Sequence, residues 1–156
     1  MYADEIAKGR EIFQRWLSDL ESGQSNRGIT ITLLMSAAKM DINAFRKYGT
    51  TSENPDLPAV VSTFLKVLSK DQDSTIRAKV AKGLGKIAHD ISRYQIYFFQ
   101  DTAELVETKL IEALQDDSPQ VRKAATKALQ RIGTPSALAK LPPKINILDR
   151  MFGRKR

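Results

Sequence analysis

The feature that most constrains this chain is a pattern that occurs twice. "LPAVVSTFLKVLSKDQDSTIRAKVAKGLGKIA" (57–88) and "ELVETKLIEALQDDSPQVRKAATKALQRIG" (104–133) superimpose at an offset of 45 residues: Ile76-Arg77 falls on Val121-Arg122, Val80 on Ala125, Leu84 on Leu129 and Ile87 on Ile132. Upstream, Leu65 and Leu68 fall on Ile111 and Leu114 at an offset of 46, so the first turn is expected to be one residue longer. Within each copy the apolar residues recur at three and four, the spacing of one helix face. Two helices per copy and a period in the mid-forties predict a stack of helix pairs, each burying its apolar face on its neighbours. About three stacked pairs are needed for stability. Two are clear, so the periodic stretches at 3–21 and 29–48 are expected to supply the missing layer and cap the N-terminal end, with Phe13 and Trp16 sealing it.

The remaining punctuation supports helices throughout. Residues 3–21 place Ile6, Phe13, Trp16, Leu17 and Leu20 on one face, and "ESGQSNRG" breaks the pattern. Residues 29–48 carry Ile31, Leu34, Met35, Ala38, Ile42 and Phe45 and stop at Gly49; "TTSENPDLP" is the longest polar loop. Stretches at 57–69, 75–89 and 102–115 follow, the last with Leu105, Val106, Leu110, Ile111 and Leu114. "DTAE" reads as a capping box, Asp101 accepting the Glu104 N–H while Glu104 reaches back. Ser118 is the expected N-cap of the next helix with Pro119 at its first position. Thr134 and Pro135 open a short helix that Pro142 and Pro143 end. The expected fold is all-α: a short right-handed α-solenoid of five long helices and one short. It forms one domain over 1–141 (N-terminal cap 1–50, repeats 57–89 and 102–133, capping helix 134–141), followed by a basic amphipathic tail, 142–156.

Composition narrows the chemistry. The chain has no cysteine, which removes thiol nucleophiles, disulfides and thiolate metal sites. No basic-then-apolar leader opens the sequence and no stretch approaches a bilayer span, so a cytoplasmic protein is expected. The net charge of +7 is uneven: eight basic residues balance eight acidic ones through Lys66, and seventeen face ten from Val67 onward. Such asymmetry points to an acidic partner surface.

The second copy, read as "LQDDSPQVRKAATKALQRIGTPSAL", joins an acidic turn to V-R-x-x-A, A-L and I-G-T-P. It resembles the HEAT-repeat family, and in particular the short HEAT-like repeat of phycobilisome lyases. The resemblance is specific over 105–140 and looser over 57–88, where Gly83 and Gly85 stand for Ala128 and Gln130. It implies that a turn aspartate and the following arginine tie adjacent units together, which maps to Asp117 and Arg122 and, more loosely, to Asp73 and Arg77.

Catalytic signals are weak. His89 is the single histidine and falls at the end of its predicted helix, where the dipole favours a cation. "GLGK" (83–86) lacks the upstream glycine and the hydroxyl residue of a phosphate loop, so close packing at Gly83 is the better explanation. The pairs Asp71/Asp73 and Asp116/Asp117 sit where aspartates cap helices. No metal or cofactor is expected.

Three features offer binding. Lys79, Lys82 and Lys86 share one helix face, and Lys123, Lys127 and Arg131 share the equivalent face of the next copy, so the two stripes are expected to merge into a basic patch or remain a solvated face. "RYQIYFFQ" (93–100) crowds Tyr94, Tyr97, Phe98 and Phe99 into a connection, where packed rings and a partner anchor are the alternatives. The tail "KINILDRMFGRKR" places Ile145, Leu148 and Phe152 on one face, suited to a groove, an anionic membrane surface or the last repeat. The expected function is a non-enzymatic module binding an acidic protein surface. The resemblance implies, as an alternative, a factor handling bilin-bearing antenna proteins; the charge leaves nucleic-acid binding as a third.

Overall fold

A computed structural model describes residues 2–23 and 26–143. The helices are α1 (Tyr2–Ser22), α2 (Arg27–Tyr48), α3 (Leu57–Lys70), α4 (Ser74–Arg93), α5 (Gln100–Glu112), α6 (Pro119–Ile132) and α7 (Pro135–Ala139). Among the described residues there are thus six long helices and one short, where five long ones were expected, because each periodic stretch forms a helix of its own.

The helices stack in two layers. One layer runs α1, α3, α5 and the other α2, α4, α6, each helix touching its neighbours in the layer and its hairpin partner across it. This is an all-α solenoid. α4 is its hub: it packs on α2, α3, α5 and α6 and buries eleven of its twenty residues. The eight apolar positions paired between α4 and α6 are all buried, from Ile76, Val80, Leu84 and Ile87 on α4 to Val121, Ala125, Leu129 and Ile132 on α6; of the four paired upstream, Leu68 is buried and Leu65, Ile111 and Leu114 are half-buried. Fully burying a side chain of this size contributes about 1.5–3 kcal/mol, so the repeat pattern marks the core.

Small residues let the hub helices approach. A methyl group added at Gly85 would stand 2.5 Å from the Ala128 Cβ, so α4 and α6 meet there almost backbone to backbone. Gly83 faces the other way, against Met35 and Phe64. Packing at both glycines explains "GLGK" and leaves no phosphate loop.

Several local expectations need correction. Ile6 shares the stripe of Leu17 and Leu20 yet is 61% exposed, and none of residues 2–12 is buried. α3, with 14 residues against the 21 of α1, is too short to underlie that end. Leu105 is also exposed, because Ala103, Val106 and Leu110 form the buried stripe of α5 and Leu105 lies a step round the helix. The "DTAE" capping box does not form: a tight turn at Tyr97–Phe99 runs directly into α5, which begins at Gln100. Ser118 is the N-cap of α6 by position, but its side chain makes no capping bond. The extra residue of the first copy does not lengthen its turn; the second copy loses it by tightening its helix end into a three-residue turn, Ala113–Gln115, with fewer residues per turn. α4 runs on to Arg93, so His89 lies within it, half-buried, a turn before its end.

Candidate functional site

The units are held together at their turns. In both turns an aspartate accepts the N–H two residues on: Asp73 N–H to Asp71 at 2.9 Å and Ser118 N–H to Asp116 at 2.9 Å. In both, the following arginine donates Nη1 to two turn carbonyls. Arg77 reaches those of Asp71 and Gln72 at 2.7 and 3.2 Å, and Arg122 those of Asp116 and Asp117 at 2.7 and 3.0 Å. Arg77 then spans to the next unit, donating Nε and Nη2 to the Asp116 carboxylate at 3.0 and 2.8 Å, and Nη2 to Asp117 at 2.7 Å. Arg27 of α2 makes the corresponding bond to the Asp71 carboxylate, although its Nε is buried without a partner among the described residues.

The electrostatics follow from this geometry. The hydrogen bond to Asp116 raises the Arg77 guanidinium further above its ordinary value. Burial alone would raise the Asp116 carboxyl; the bonds from Arg77 and the Ser118 N–H outweigh it and hold that carboxyl below the usual range. The carboxylates that bridge units are therefore Asp71 and Asp116, with Asp117 an exposed second acceptor. Asp73 caps α4 instead, accepting the Thr75 N–H at 2.8 Å. Arg122 bonds only within its own turn among the described residues. The alignment contained this signal, since an offset of 45 places Asp116 on Asp71 and Asp117 on Gln72.

A second buried carboxylate had no sequence signal. Asp41 of α2 accepts the Leu57 N–H at 2.8 Å and so caps α3 from sixteen residues away. Burial pushes its carboxyl above the ordinary value.

On the flank of α4 and α6, Lys79, Lys82, Lys123, Lys127 and Arg131 line one groove of about 450 Å³ whose other residues include Ala78, Ala124 and Ala128. Lys86 lies beyond it, in the adjoining groove with Lys39 and Arg131. All six cations of the two stripes are exposed, and among the described residues none makes a salt bridge. Among the described residues no carboxylate lines the α4–α6 groove, and the only acidic one in the adjoining groove is Asp90.

The aromatic connection is split. Ile96 and Phe99 are buried and Tyr94 half-buried, with the Arg46 guanidinium 4.2 Å above its ring. Tyr97 and Phe98 remain 68% and 57% exposed, 4.5 Å apart and edge-on to Phe45 of α2 at 5.9 and 6.0 Å. The cause is the end of α4. Gln95 takes a left-handed φ of 51°, and the Ile96 N–H closes back on the Ile91 carbonyl at 3.0 Å, drawing Ile96 inward. Phe152 and the rest of the tail reading from residue 144 lie outside the described residues.

Among the described residues no group of three or more His, Asp or Glu side chains is arranged to hold a metal ion. No described helix is long and apolar enough to cross a membrane. In comparisons with known proteins, a family model described as HEAT repeats matches residues 61–142, just over half of the chain. No curated protein and no solved structure matches it.

Proposed function

Because the chain belongs to the HEAT-repeat family, whose repeats are commonly protein-interaction modules, we propose that it is a non-enzymatic adaptor that holds an acidic protein surface against α4 and α6. The observation that carries this reading is the groove with five cations and, among the described residues, no carboxylate. Arg27, Arg77 and Lys66 have anionic partners in the fold, and among the described residues these five have none. Clustered like charge repels itself, and an acidic partner relieves that repulsion while steering its own approach. The alanines between the lysines leave room for a partner side chain to descend between the cations.

Capture from lysate after nuclease treatment tests it, with wild type run beside Lys123→Glu/Lys127→Glu/Arg131→Glu. A protein retained by the wild type and lost by the variant, with both folded, supports the proposal. Capture that the variant leaves unchanged moves the site to Tyr97 and Phe98. Capture that vanishes with nuclease makes the partner a nucleic acid. The narrower kinship with phycobilisome-lyase repeats rests on the residues of the second copy, and a coloured complex on co-expression with a bilin and an antenna subunit is its test.

A further inference from the structure

Arg77 and Arg122 occupy the same position of the repeat, and their guanidinium groups are held in the same way. Each Nη1 is fixed by two turn carbonyls, at 2.7 and 3.2 Å for Arg77 and 2.7 and 3.0 Å for Arg122. Because the guanidinium is planar, fixing Nη1 aims the Nε–Nη2 edge. In Arg77 that edge grips the Asp116 carboxylate with two bonds. In Arg122 the same edge has no partner among the described residues.

We propose that Arg122 is a second, end-on binding site, which takes an aspartate presented by the turn of a helical-repeat partner stacked on the α6 end. A fork of two parallel N–H donors matches a carboxylate, and the occupied fork of Arg77, together with the single bond of Arg27, shows which one. Both Asp71 and Asp116 stand at a helix–helix turn and accept the N–H two residues on, which orients the carboxylate toward the arginine. α7 packs on α6, with its N-cap Thr134 bonded to Glu107 of α5, and among the described residues no helix follows α6 in the layer of α2 and α4, which leaves a place for such a turn. A second copy of this chain does not supply the group. Its Asp71 and Asp116 are held by its own Arg27 and Arg77, and Glu21, in the last turn of α1, is held by Lys66. The site is apart from the lysine groove and does not depend on the function proposed for it.

The test is NMR of the arginine Nε–Hε groups in the full chain, titrated with a synthetic peptide of residues 111–132, which carries the aspartate turn and its helix. Without peptide, the Arg77 signal is that of a bonded, slowly exchanging group and the Arg122 signal that of a free one. On titration the Arg122 signal moves to the bonded position and saturates in the millimolar range, while the Arg77 signal stays. The same peptide with Asp116→Asn and Asp117→Asn produces less than about a tenth of that shift, given the preference of the fork for an ionised acceptor. Arg122→Lys, which keeps the charge and loses the fork, weakens binding several-fold. The proposal is overturned if the two peptides act alike or if neither moves the signal. It is equally overturned if Arg122 is already bonded without peptide and Asp149→Asn releases it, since the chain then fills the site itself.

Discussion

The two repeats follow one pattern and differ in what surrounds them. α3–α4 lies inside the stack, so Arg77 finds a carboxylate on the next turn and Gly85 finds the backbone of α6. α5–α6 lies at the end of the described stack, and Arg122 keeps the two carbonyl bonds but gains no carboxylate among the described residues. The helix ends differ too: α6 closes on Gly133 at φ 71°, and α4 on Gln95 at φ 51°. An identical repeat position therefore has a different energetic role according to its neighbours, which is the behaviour of a quasi-one-dimensional stack.

The largest expected effect breaks the core that both repeats share. Leu129→Ala removes a fully buried side chain and should cost about 2–5 kcal/mol in urea unfolding, whereas Lys127→Glu, two positions away and exposed, should leave the midpoint almost unchanged. Equal effects from both would contradict the assignment of faces. Next comes the arginine pair itself. Arg77→Ala leaves the mostly buried Asp116 carboxylate without its counter-ion and should cost about 3 kcal/mol; Arg122→Ala should cost about 1 kcal/mol.

The glycines sharpen the same contrast. Gly85→Ala forces α4 and α6 apart and should cost about 1–3 kcal/mol despite a gain in helix propensity. Gly83→Ala meets the flexible Met35 side chain first and should cost less, as parallel thermal melts of the two variants will show. Acid reads the rung between the units. The Asp116 carboxyl is held below its unfolded value of about 3.9, so its contribution is complete above that pH and is lost as pH falls through the lower folded value. Melting temperature should decline over that window in the wild type, and Asp116→Asn should flatten the decline; an unchanged slope would separate Asp116 from acid stability. The smallest effect is at the helix end, where Gln95→Gly relieves a left-handed side chain and should raise stability by about 0.5–1 kcal/mol.

The sequence made the repeated core legible because burial in a stack imposes periodicity: the eight apolar positions paired between α4 and α6 lie inside, while Leu65, Ile111 and Leu114 of the other layer are half-buried. It was less informative wherever an outcome depended on a partner far along the chain. Ile6 has the right spacing but no helix beneath it. Asp41 looks like any polar residue in mid-helix until the Leu57 N–H arrives. Arg27 reaches Asp71 across 44 residues from the first position of its helix, whereas Arg77 stands at the fourth of its own, so no alignment pairs the two arginines. For the candidate site, the merging of Lys79, Lys82, Lys86, Lys123, Lys127 and Arg131 was a helix-face argument; five of the six line one groove and Lys86 lies in the adjoining one. The split of the aromatic connection was hidden because Gln95, not a glycine, takes the left-handed turn.

A double-mutant cycle tests the central claim, that equivalent arginines close one junction and leave the other open. Coupling of Arg77→Ala with Asp116→Ala in urea unfolding should be about 2 kcal/mol or more, and coupling of Arg122→Ala with the same Asp116→Ala should be near zero, since Arg122 touches only the Asp116 backbone carbonyl. Equal couplings would mean that the two junctions are alike and that the difference between the repeats is not energetic.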